Sequence, residues 1–410
     1  MALWKNRTQC RLCCNNILID IFNLEPTPPA NHFILEKKKQ TYIPLDIAIC
    51  KQCNHIQLLQ IIDPKILYED YLYVSSTTNT MINHLYNSID YYIEYINLNK
   101  TDNILEIGAN DGTCIKYLLD KGFMNTIGVD PAKNIKLRHD LPIICDFFGS
   151  NLHDELLNKY GKFKMIFGFH CFAHIENIED VFKTAFELLE DDGLFIMEVG
   201  YFYDVFTHKT FDTIYHEHID YYTCTSIKNY CDNNQLKLCN IKNTHIQGGS
   251  MQFYICKQST NKYLINYNSI NNTINKENNA NLFIPNNLIN WFSNINNIRD
   301  ELQHILHSIK QNNKKIAGYG ASAKSTTFMH QFKITDNILE YIIDDNIYKI
   351  NRYSPGFHIP ITSIDILDNN KVDYIIILSW NFTNDIIKKL NKYITDGLKI
   401  IIPFPNIQII

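Results

Sequence analysis

The spacing of apolar residues along the chain predicts two stretches in which strands and helices alternate. From residue 103, the segments NILEIG, TCIKYLLDKG and NTIGVD predict a strand, a helix and a second strand. Buried strands are also predicted at 164–170 (KMIFGFH) and 193–200 (GLFIMEVG), and Gly193 is expected to stop the amphipathic helix between them. This alternation is typical of a doubly wound, mainly parallel sheet.

A second unit of the same kind begins with a long amphipathic helix. Its apolar residues recur every three or four positions, at Leu288, Trp291, Ile295, Ile298, Leu302, Ile305 and Ile309. The later segments KKIAGYGASAK, LEYIIDDN, VDYIIILSW and LKIIIPF predict further strands separated by helices. We interpret the Asn-rich run at 268–282, which precedes the long helix, as a surface connection.

The expected fold class is α/β with three parts. A chain of 410 residues exceeds the ~250–300 residues at which single cores stop growing, so several domains are expected. We divide it into a small N-terminal module at 1–75, a Rossmann-like domain at 76–255 and a second Rossmann-like domain at 256–410.

Composition narrows the range of partners. The chain is 45% hydrophobic and 20% charged, as globular proteins are, and its net charge of -5 gives no general attraction to nucleic acid or to anionic membranes. No apolar run is long enough to span a bilayer, and the N-terminus lacks the apolar core of a signal peptide. We expect a cytoplasmic protein that is a monomer or a small homo-oligomer.

The N-terminal module carries paired cysteines. In a reducing compartment cysteines are more often metal ligands or buried apolar groups than disulfides. Cys10 and Cys13 form one C-x-x-C pair and Cys50 and Cys53 another, which is the pattern of two knuckles around a structural zinc ion. Cys14 is an alternative to Cys13 as ligand. A zinc ribbon that binds nucleic acid is the competing interpretation, but the segment has no strong basic stripe.

A glycine-containing loop follows the first buried strand and opens a helix. It runs from Glu106 to Thr113 as EIGANDGT, so that its backbone N–H groups can approach a nucleotide-type ligand. Asp111 suits the cationic methionine end of S-adenosylmethionine (SAM) better than a pyrophosphate. Asp130 ends the next strand, where a carboxylate can accept hydrogen bonds from ribose hydroxyls. The candidate cofactor residues are Glu106, Gly108, Asn110, Gly112, Asp130, Phe169 and His170.

Titratable and aromatic residues cluster after the strand at 193–200. The block Tyr215-His216-Glu217-His218 is expected at a carboxyl end of the sheet, where doubly wound folds bind substrates. An H-x-H pair without a distant third ligand is a weak metal signal, whereas histidine is well suited to accept a proton. His174, in FGFHCFAHI, is a further candidate at the same edge.

These motifs, taken in order, resemble the family of zinc-containing C-methyltransferases that methylate C3 of nucleotide-linked 4-keto deoxysugars. The resemblance covers nearly the whole chain. It rests on the cysteine pairs, YLYVSS at 71–76, EIGANDGT, the block at 215–218, IQGGSMQ at 246–252, GYGASAK at 318–324, DDNIYKINRYSPG at 344–356 and LSWNF at 378–382.

The resemblance implies a class I Rossmann-like methyltransferase domain, a second Rossmann-like domain that holds the sugar nucleotide, and SAM and zinc as cofactors. It implies that His218 removes the C3 proton and that Tyr215 steadies the enolate oxygen or assists proton transfer. Glu217 would hold the sugar or orient the base. His174 and Tyr73 would line the site, while Ser250, Lys324, Lys349 and Tyr353 are candidate substrate contacts.

Two alternatives remain at this stage. The turn Gly318-x-Gly320-x-x-Ala323 resembles a dinucleotide-binding loop, so an NAD-dependent nucleotide-sugar oxidoreductase is the second hypothesis, although this loop can equally pack a helix on a strand. A zinc-dependent interaction protein with degenerate enzyme domains is ranked last, because the block at 215–218 is intact. Gln247 replaces a histidine common in the family, which leaves the exact sugar open. The sequence does not distinguish dTDP from UDP as the nucleotide.

Overall fold

The N-terminal module is a small antiparallel sheet with a short helix. In the computed structural model the described residues are 3–68, 74–135, 140–404 and 406–410. The elements of the module are β1 (Trp4–Asn6), β2 (Leu18–Thr27), β3 (Ile43–Cys50), β4 (Ile56–Leu58), β5 (Gln60–Ile62) and α1 (Pro64–Tyr68). Strands β2, β3 and β4 pair antiparallel, and β1 pairs with β5.

The central domain is built on a seven-stranded sheet. Its elements are α2 (Asn79–Ile96), β6 (Ile104–Ile107), α3 (Thr113–Asp120), β7 (Thr126–Val129), β8 (Ile143–Ile144), α4 (His153–Tyr160), β9 (Phe163–Phe169), α5 (Ile178–Leu188), β10 (Leu189–Gly200), α6 (Phe202–His208), β11 (Asp220–Tyr221), α7 (Cys224–Asn233), β12 (Leu236–Thr244), β13 (Ser250–Lys257) and α8 (Tyr267–Asn279). The strand order is β12-β13-β10-β9-β6-β7-β8. Strands β8 to β10 run parallel with β6 and β7, whereas β12 and β13 are antiparallel additions at one edge.

The C-terminal domain repeats the parallel architecture. Its elements are α9 (Pro285–Gln311), β14 (Ile316–Tyr319), α10 (Ala323–Gln331), β15 (Leu339–Ile343), β16 (Ile361–Thr362), α11 (Ile366–Asn369), β17 (Tyr374–Ile377), α12 (Thr383–Thr395), β18 (Lys399–Ile402) and β19 (Gln408–Ile409). The strand order is β16-β15-β14-β17-β18-β19, and only the last pair is antiparallel. The predicted long helix is confirmed as α9, which begins with Pro285 at a position where the missing N–H costs nothing.

Two local predictions were wrong. Gly193 does not stop a helix: α5 ends at Leu188, and β10 already pairs with β9 at Leu189 before an irregularity in the register. A Cβ at Gly193 would lie 2.9 Å from Leu189 Cγ and 3.0 Å from the carbonyl oxygen of Phe163, so the glycine permits this tight approach. The Asn-rich run forms helix α8 instead of a surface connection, because Ile270 and Glu277, two turns apart, are both buried.

The three parts share their structural elements. Strand β11, which follows the block at 215–218, pairs with β4 and so completes the sheet of the N-terminal module. Helix α9 packs on β2, where the rings of Phe22 and Phe292 stack 4.5 Å apart. Helix α8, which we had assigned to the C-terminal domain, packs on α7 of the central domain. Over the described residues, no helix has both the length and the apolar character needed to cross a membrane.

Candidate active site and metal centre

The two cysteine pairs meet at one point. The Sγ atoms of Cys10, Cys13, Cys50 and Cys53 all lie within 4.8 Å of one another, and the pairs Cys10–Cys53 and Cys13–Cys50 are each 3.5 Å apart. Tetrahedral zinc with Zn–S bonds of about 2.3 Å places sulfur atoms about 3.8 Å apart, so this arrangement fits a zinc ion closely. Cys14 lies outside the group and donates its thiol hydrogen to Glu179 Oε2 at 2.8 Å. The geometry therefore favours Cys13 over Cys14 as the fourth thiol of the group.

The cofactor loop joins β6 to α3 in the predicted manner. Gly108 has a φ of 73°, and a Cβ there would lie 2.5 Å from Cys171 Cβ, so the loop approaches the end of β9 too closely for any side chain. The carboxylate of Asp130, at the end of β7, accepts the backbone N–H of Asn110 at 3.0 Å. Asn110 in turn accepts the backbone N–H of Ser75 at 2.9 Å.

The same loop contains a buried glutamate, Glu106. Burial raises the pKa of Glu106 well above its ordinary value, and its Oε2 has no hydrogen-bond partner within the described residues. Phe169 and Asp111 line a small cleft with Glu106, Gly108 and Thr113. An unpaired buried acceptor beside a backbone cradle fits a ligand that donates hydrogen bonds and carries positive charge, as the amino-acid end of SAM does.

Next to this cleft lies a buried carboxylate that the sequence did not reveal. Both oxygens of Glu198 accept from Nε2 of His84, at 2.8 and 2.9 Å, and one accepts from Gln252 Nε2 at 2.6 Å. Nε2 of the predicted cofactor residue His170 lies 3.4 Å from Glu198. Burial alone would raise the pKa of Glu198, but the hydrogen bonds from His170 and His84 outweigh it and lower that pKa. An ionised carboxylate is thus fixed beside the cofactor loop.

His174 and His218 stand next to each other. Their ring centres are 5.0 Å apart. Nδ1 of His218 lies 2.8 Å from the carbonyl oxygen of Thr213, and Nδ1 of His174 lies 2.6 Å from that of Glu217. A carbonyl only accepts, so each Nδ1 carries the hydrogen and each neutral ring has its lone pair on Nε2. The phenol of Tyr215 donates to that lone pair of His218 at 2.9 Å.

Both imidazoles are held in the neutral form. Burial lowers the pKa of His174 to about 4. Burial, followed by the repulsion between the two rings, holds the pKa of His218 well below its ordinary value. A neutral imidazole with its lone pair on Nε2 is a competent proton acceptor at neutral pH.

Glu217 and His216 point away from this pair in different directions. Glu217 is buried, and both its oxygens accept from Nδ2 of Asn31, at 2.8 and 2.9 Å. His216 is buried on the other side, where its Nε2 lies 3.1 Å from the carbonyl oxygen of Pro44. The structure therefore separates His216 from the two histidines that face each other. The predicted aromatic contact Tyr73 lies outside the described residues, but Tyr68 donates to the carbonyl oxygen of Glu217 at 3.2 Å.

The C-terminal domain closes the site from the opposite side. Lys324 Nζ donates to the carbonyl oxygen of Gln247 at 3.1 Å, and Trp380 Nε1 donates to Asp212 Oδ2 at 2.7 Å. Burial lowers the pKa of Lys324 and raises that of Asp212 to about 6. Two residues from this domain and two from the central domain thus form polar contacts between the domains; of the four only Asp212 is buried, and it directly precedes Thr213, whose carbonyl holds His218.

The remaining predicted substrate contacts, Lys349, Tyr353 and Ser250, each bond to backbone groups of the protein. Lys349 reaches inwards and donates to the carbonyl oxygen of Ala321 at 2.8 Å. Tyr353 forms antiparallel backbone bridges with Ile34 and with Pro360. Ser250 is fully buried and donates its hydroxyl to the carbonyl oxygen of Ile246 at 3.0 Å, which ties down the turn that contains Gln247.

In the second glycine turn, at 318–323, protein groups occupy the space next to the backbone. A Cβ at Gly320 would collide with the side chain of Ser379, and the backbone N–H of Ala321 donates to Asp344 Oδ2 at 2.6 Å. Its glycines are thus explained by packing between β14 and the strand end at Ser379.

Sequence reasoning missed Asn31, Tyr68, Asp212 and Glu198; the best signal was for Asp212, which lies three residues before the 215–218 block.

The comparisons with known proteins agree with this site. Profiles for a zinc binding domain, a methyltransferase domain and a C-methyltransferase C-terminal domain match residues 10–68, 82–240 and 245–405, respectively. The C-methyltransferase NovU of Streptomyces niveus is 25% identical over 408 residues, which cover 98% of this chain and 96% of that protein.

Solved methyltransferase structures match less than half of the chain. An S-adenosylmethionine-dependent methyltransferase from Clostridium acetobutylicum shares 15% identity over 43% of this chain and 92% of that chain, with a TM-score of 0.35. The plantazolicin methyltransferase BpumL in complex with SAH shares 12% identity over 45% of this chain and 91% of that chain, with a TM-score of 0.33.

The fold and the site define a SAM-dependent methyltransferase with a zinc centre, and SAM and zinc are its cofactors. The three profiles follow one another along nearly the whole chain, in the order in which the sequence motifs occur. The profile matches and the likeness to NovU confirm the resemblance found in the sequence: over nearly its whole length the chain is similar to zinc-containing C-methyltransferases.

Proposed function

We propose that the protein transfers a methyl group to C3 of a nucleotide-linked 4-keto-6-deoxy sugar, with dTDP or UDP as the nucleotide. The observation that carries this proposal is the Tyr215–His218 pair, in which a neutral imidazole holds its lone pair towards a phenol at 2.9 Å. A carbon next to a ketone becomes a nucleophile only when its proton is removed while charge builds on the carbonyl oxygen. A base and a hydrogen-bond donor side by side meet that need.

The proposed roles follow from the contacts of each residue. Nε2 of His218 accepts the C3 proton, and the Tyr215 hydroxyl, released from that nitrogen, donates to the enolate oxygen. His174 lies against His218 and disfavours a lasting positive charge there. Protonated His218 therefore releases its proton to solvent readily. Glu217, held by Asn31, orients the sugar hydroxyls. When bound at the loop 106–113, SAM supplies an electrophilic methyl group.

The nucleotide is proposed to lie between the two Rossmann-like domains. Lys324 and Lys349 are cations of the C-terminal domain, Lys324 donates to Gln247 of the central domain, and Tyr353 pairs with Ile34 of the N-terminal module. A diphosphate carries the negative charge that such lysines attract, and the residues near Gln247 would meet the sugar substituents. The likeness to C-methyltransferases supports C-methylation, while the sugar, its C3 position and the enolate are the content of this proposal.

The test uses dTDP- and UDP-linked 4-keto-6-deoxy sugars with SAM. In D2O the wild-type protein should exchange the C3 hydrogen of the accepted sugar, and His218→Asn should slow this exchange by at least about 10²-fold, the usual contribution of a general base. Affinity for S-adenosylhomocysteine should stay unchanged. His216→Asn is the matched control, because His216 has the same side chain but bonds Pro44 on the opposite side.

Two results would contradict the proposal in different ways. Exchange that persists in His218→Asn would exclude His218 as the base while leaving the substrate class intact. A protein that binds S-adenosylhomocysteine but neither exchanges nor methylates any 4-keto sugar nucleotide would exclude the substrate class.

A further inference from the structure

In the sequence Arg11 lies between Cys10 and Cys13, yet its side chain contacts the central domain. It is completely buried, and its guanidinium contacts the central domain at three points. Nε donates to Asp220 Oδ2 at 3.1 Å, and Nη2 donates to the carbonyl oxygens of Ile175 and Glu176 at 2.9 and 2.7 Å. The backbone of Arg11 is itself held, because its N–H donates to Gln57 Oε1 at 2.8 Å.

The acceptors of Arg11 lie directly beside the facing histidines. Ile175 follows His174 in the chain, and Asp220 lies two residues after His218. The two segments also bond each other, since the N–H of Ile219 donates to the carbonyl oxygen of Ala173 at 2.8 Å. One guanidinium therefore links the main chain next to one imidazole with the side chain next to the other.

The second zinc knuckle reaches the same carboxylate. His55, two residues after Cys53, donates from Nε2 to Asp220 Oδ1 at 2.7 Å, and both side chains are fully buried. Each oxygen of Asp220 is thus bound by a residue next to a zinc ligand, one from each knuckle. A planar guanidinium presents its donors in a fixed fork, so the three acceptors are constrained together.

We propose that Arg11 is a positioning residue for methyl transfer: held by the zinc centre, it fixes the segments after His174 and His218 so that the two imidazoles keep their 5.0 Å arrangement. The inference rests on the proposed function, because it takes these histidines as the reacting pair. Displacement of reacting groups by about 1 Å is enough to cost about 10²-fold in rate, so a clamp remote from the substrate can control turnover.

The test compares Arg11→Met with Lys5→Met. Lys5 is the matched control: it contacts Glu176 as Arg11 does, through an ion pair of 2.5 Å with the carboxylate, but its side chain is 68% exposed. Arg11→Met should keep its zinc and its affinity for S-adenosylhomocysteine, while kcat and the C3 exchange rate fall by about 10²-fold and KM for SAM stays unchanged. The ¹⁵N signals of the two imidazoles should shift in Arg11→Met and not in Lys5→Met.

Normal exchange in Arg11→Met would overturn the inference, and so would a loss of zinc or S-adenosylhomocysteine binding that matches the loss of rate. If the lone carboxylate of Asp220 prevents folding, Arg11→Met/Asp220→Leu removes both charges, which buried pairs often tolerate. That variant should fold and remain slow; restored exchange would exclude the clamp. If instead His218→Asn keeps full exchange, the proposed base is wrong, whatever the Arg11 variants do.

Discussion

Trp380 of the C-terminal domain donates its indole hydrogen to Asp212 of the central domain at 2.7 Å. Asp212 is buried and Trp380 is half-buried, and Asp212 directly precedes Thr213, which fixes the tautomer of His218. The hydrogen bond therefore connects the closure of the two domains to the geometry of the proposed base.

Asp212→Asn should remove a pH-dependent loss of stability. Burial raises the pKa of Asp212 from 3.8 to about 6, so the folded protein keeps this proton where the unfolded chain has released it. Below pH 3.8 the group makes no difference to the free energy of unfolding. The loss develops as the pH rises from there to about 6 and then stays, on the order of 3 kcal/mol for a shift of about two units.

The measurement is chemical unfolding of both proteins across this range. Asparagine still offers an oxygen to Trp380, so the advantage of Asp212→Asn should be near zero at pH ~4 and reach its full size above pH ~6. An advantage that does not change with pH would exclude the raised pKa.

The C3 exchange rate should not fall through histidine protonation between pH 8 and pH 6. Burial lowers the pKa of His174 to about 4, and the pKa of His218 is held well below 6.5, so both rings stay neutral over this range. The exchange rate should be measured in wild type and in Asp212→Asn, which removes a nearby carboxyl group whose pKa is about 6. A fall centred near pH 6.5 in both proteins would show that an ordinary histidine limits the rate.

Cys50→Ser should lose zinc and stability, whereas Cys14→Ser should keep both. Cys50 is one of the four converging thiols, but Cys14 contacts Glu179 outside that group. Because binding of a structural zinc contributes on the order of 10 kcal/mol, loss of one ligand should lower the melting temperature clearly. Metal analysis and thermal unfolding of the two variants provide the check. Zinc lost equally from both would contradict the ligand assignment.

Gly108→Ala should weaken S-adenosylhomocysteine binding at least about tenfold, which corresponds to ~1.4 kcal/mol. Gly122→Ala is its control, because both glycines have positive φ, of 73° and 88°, and so share the backbone strain. At Gly108 the new Cβ would meet Cys171 Cβ at 2.5 Å, whereas at Gly122 the nearest atom is Lys100 Cδ at 3.9 Å. Calorimetric titration separates them; equal losses would mean that strain, and not the cradle, is responsible.

Local patterns in the sequence correctly predicted those features whose shape is determined by residues close together in the chain. The loop from Glu106 to Thr113 is a strand, a turn and a helix in succession, so its shape and the place of Asp130 were predictable. The four cysteines were also found, since each pair forms a tight turn of its own. The run at 268–282 was misjudged because its many asparagines hid a buried stripe of only two residues, Ile270 and Glu277.

Contacts between distant segments left no such signal. Arg11 and Asp220 are 209 residues apart, and nothing in the pattern around either residue indicates that they meet. Glu277 accepts hydrogen bonds from Tyr201 and from the backbone N–H of Cys224, at 2.8 and 2.7 Å, although it lies in a segment that reads as polar surface. A buried charged or polar group is stable only when the tertiary fold supplies its hydrogen-bond partners. Its neighbours in the sequence therefore do not reveal it.

The strand at 220–221 belongs to the central domain in sequence, but it completes the sheet of the zinc module. This shared edge means that the module is not an interchangeable part. A chimera that takes residues 1–68 from one relative and the rest from another would join a sheet to a foreign edge strand, and an arginine to a foreign carboxylate. Successful recombination, in the laboratory or in evolution, should therefore carry the stretch from the histidine block to Tyr222 together with the cysteine knuckles.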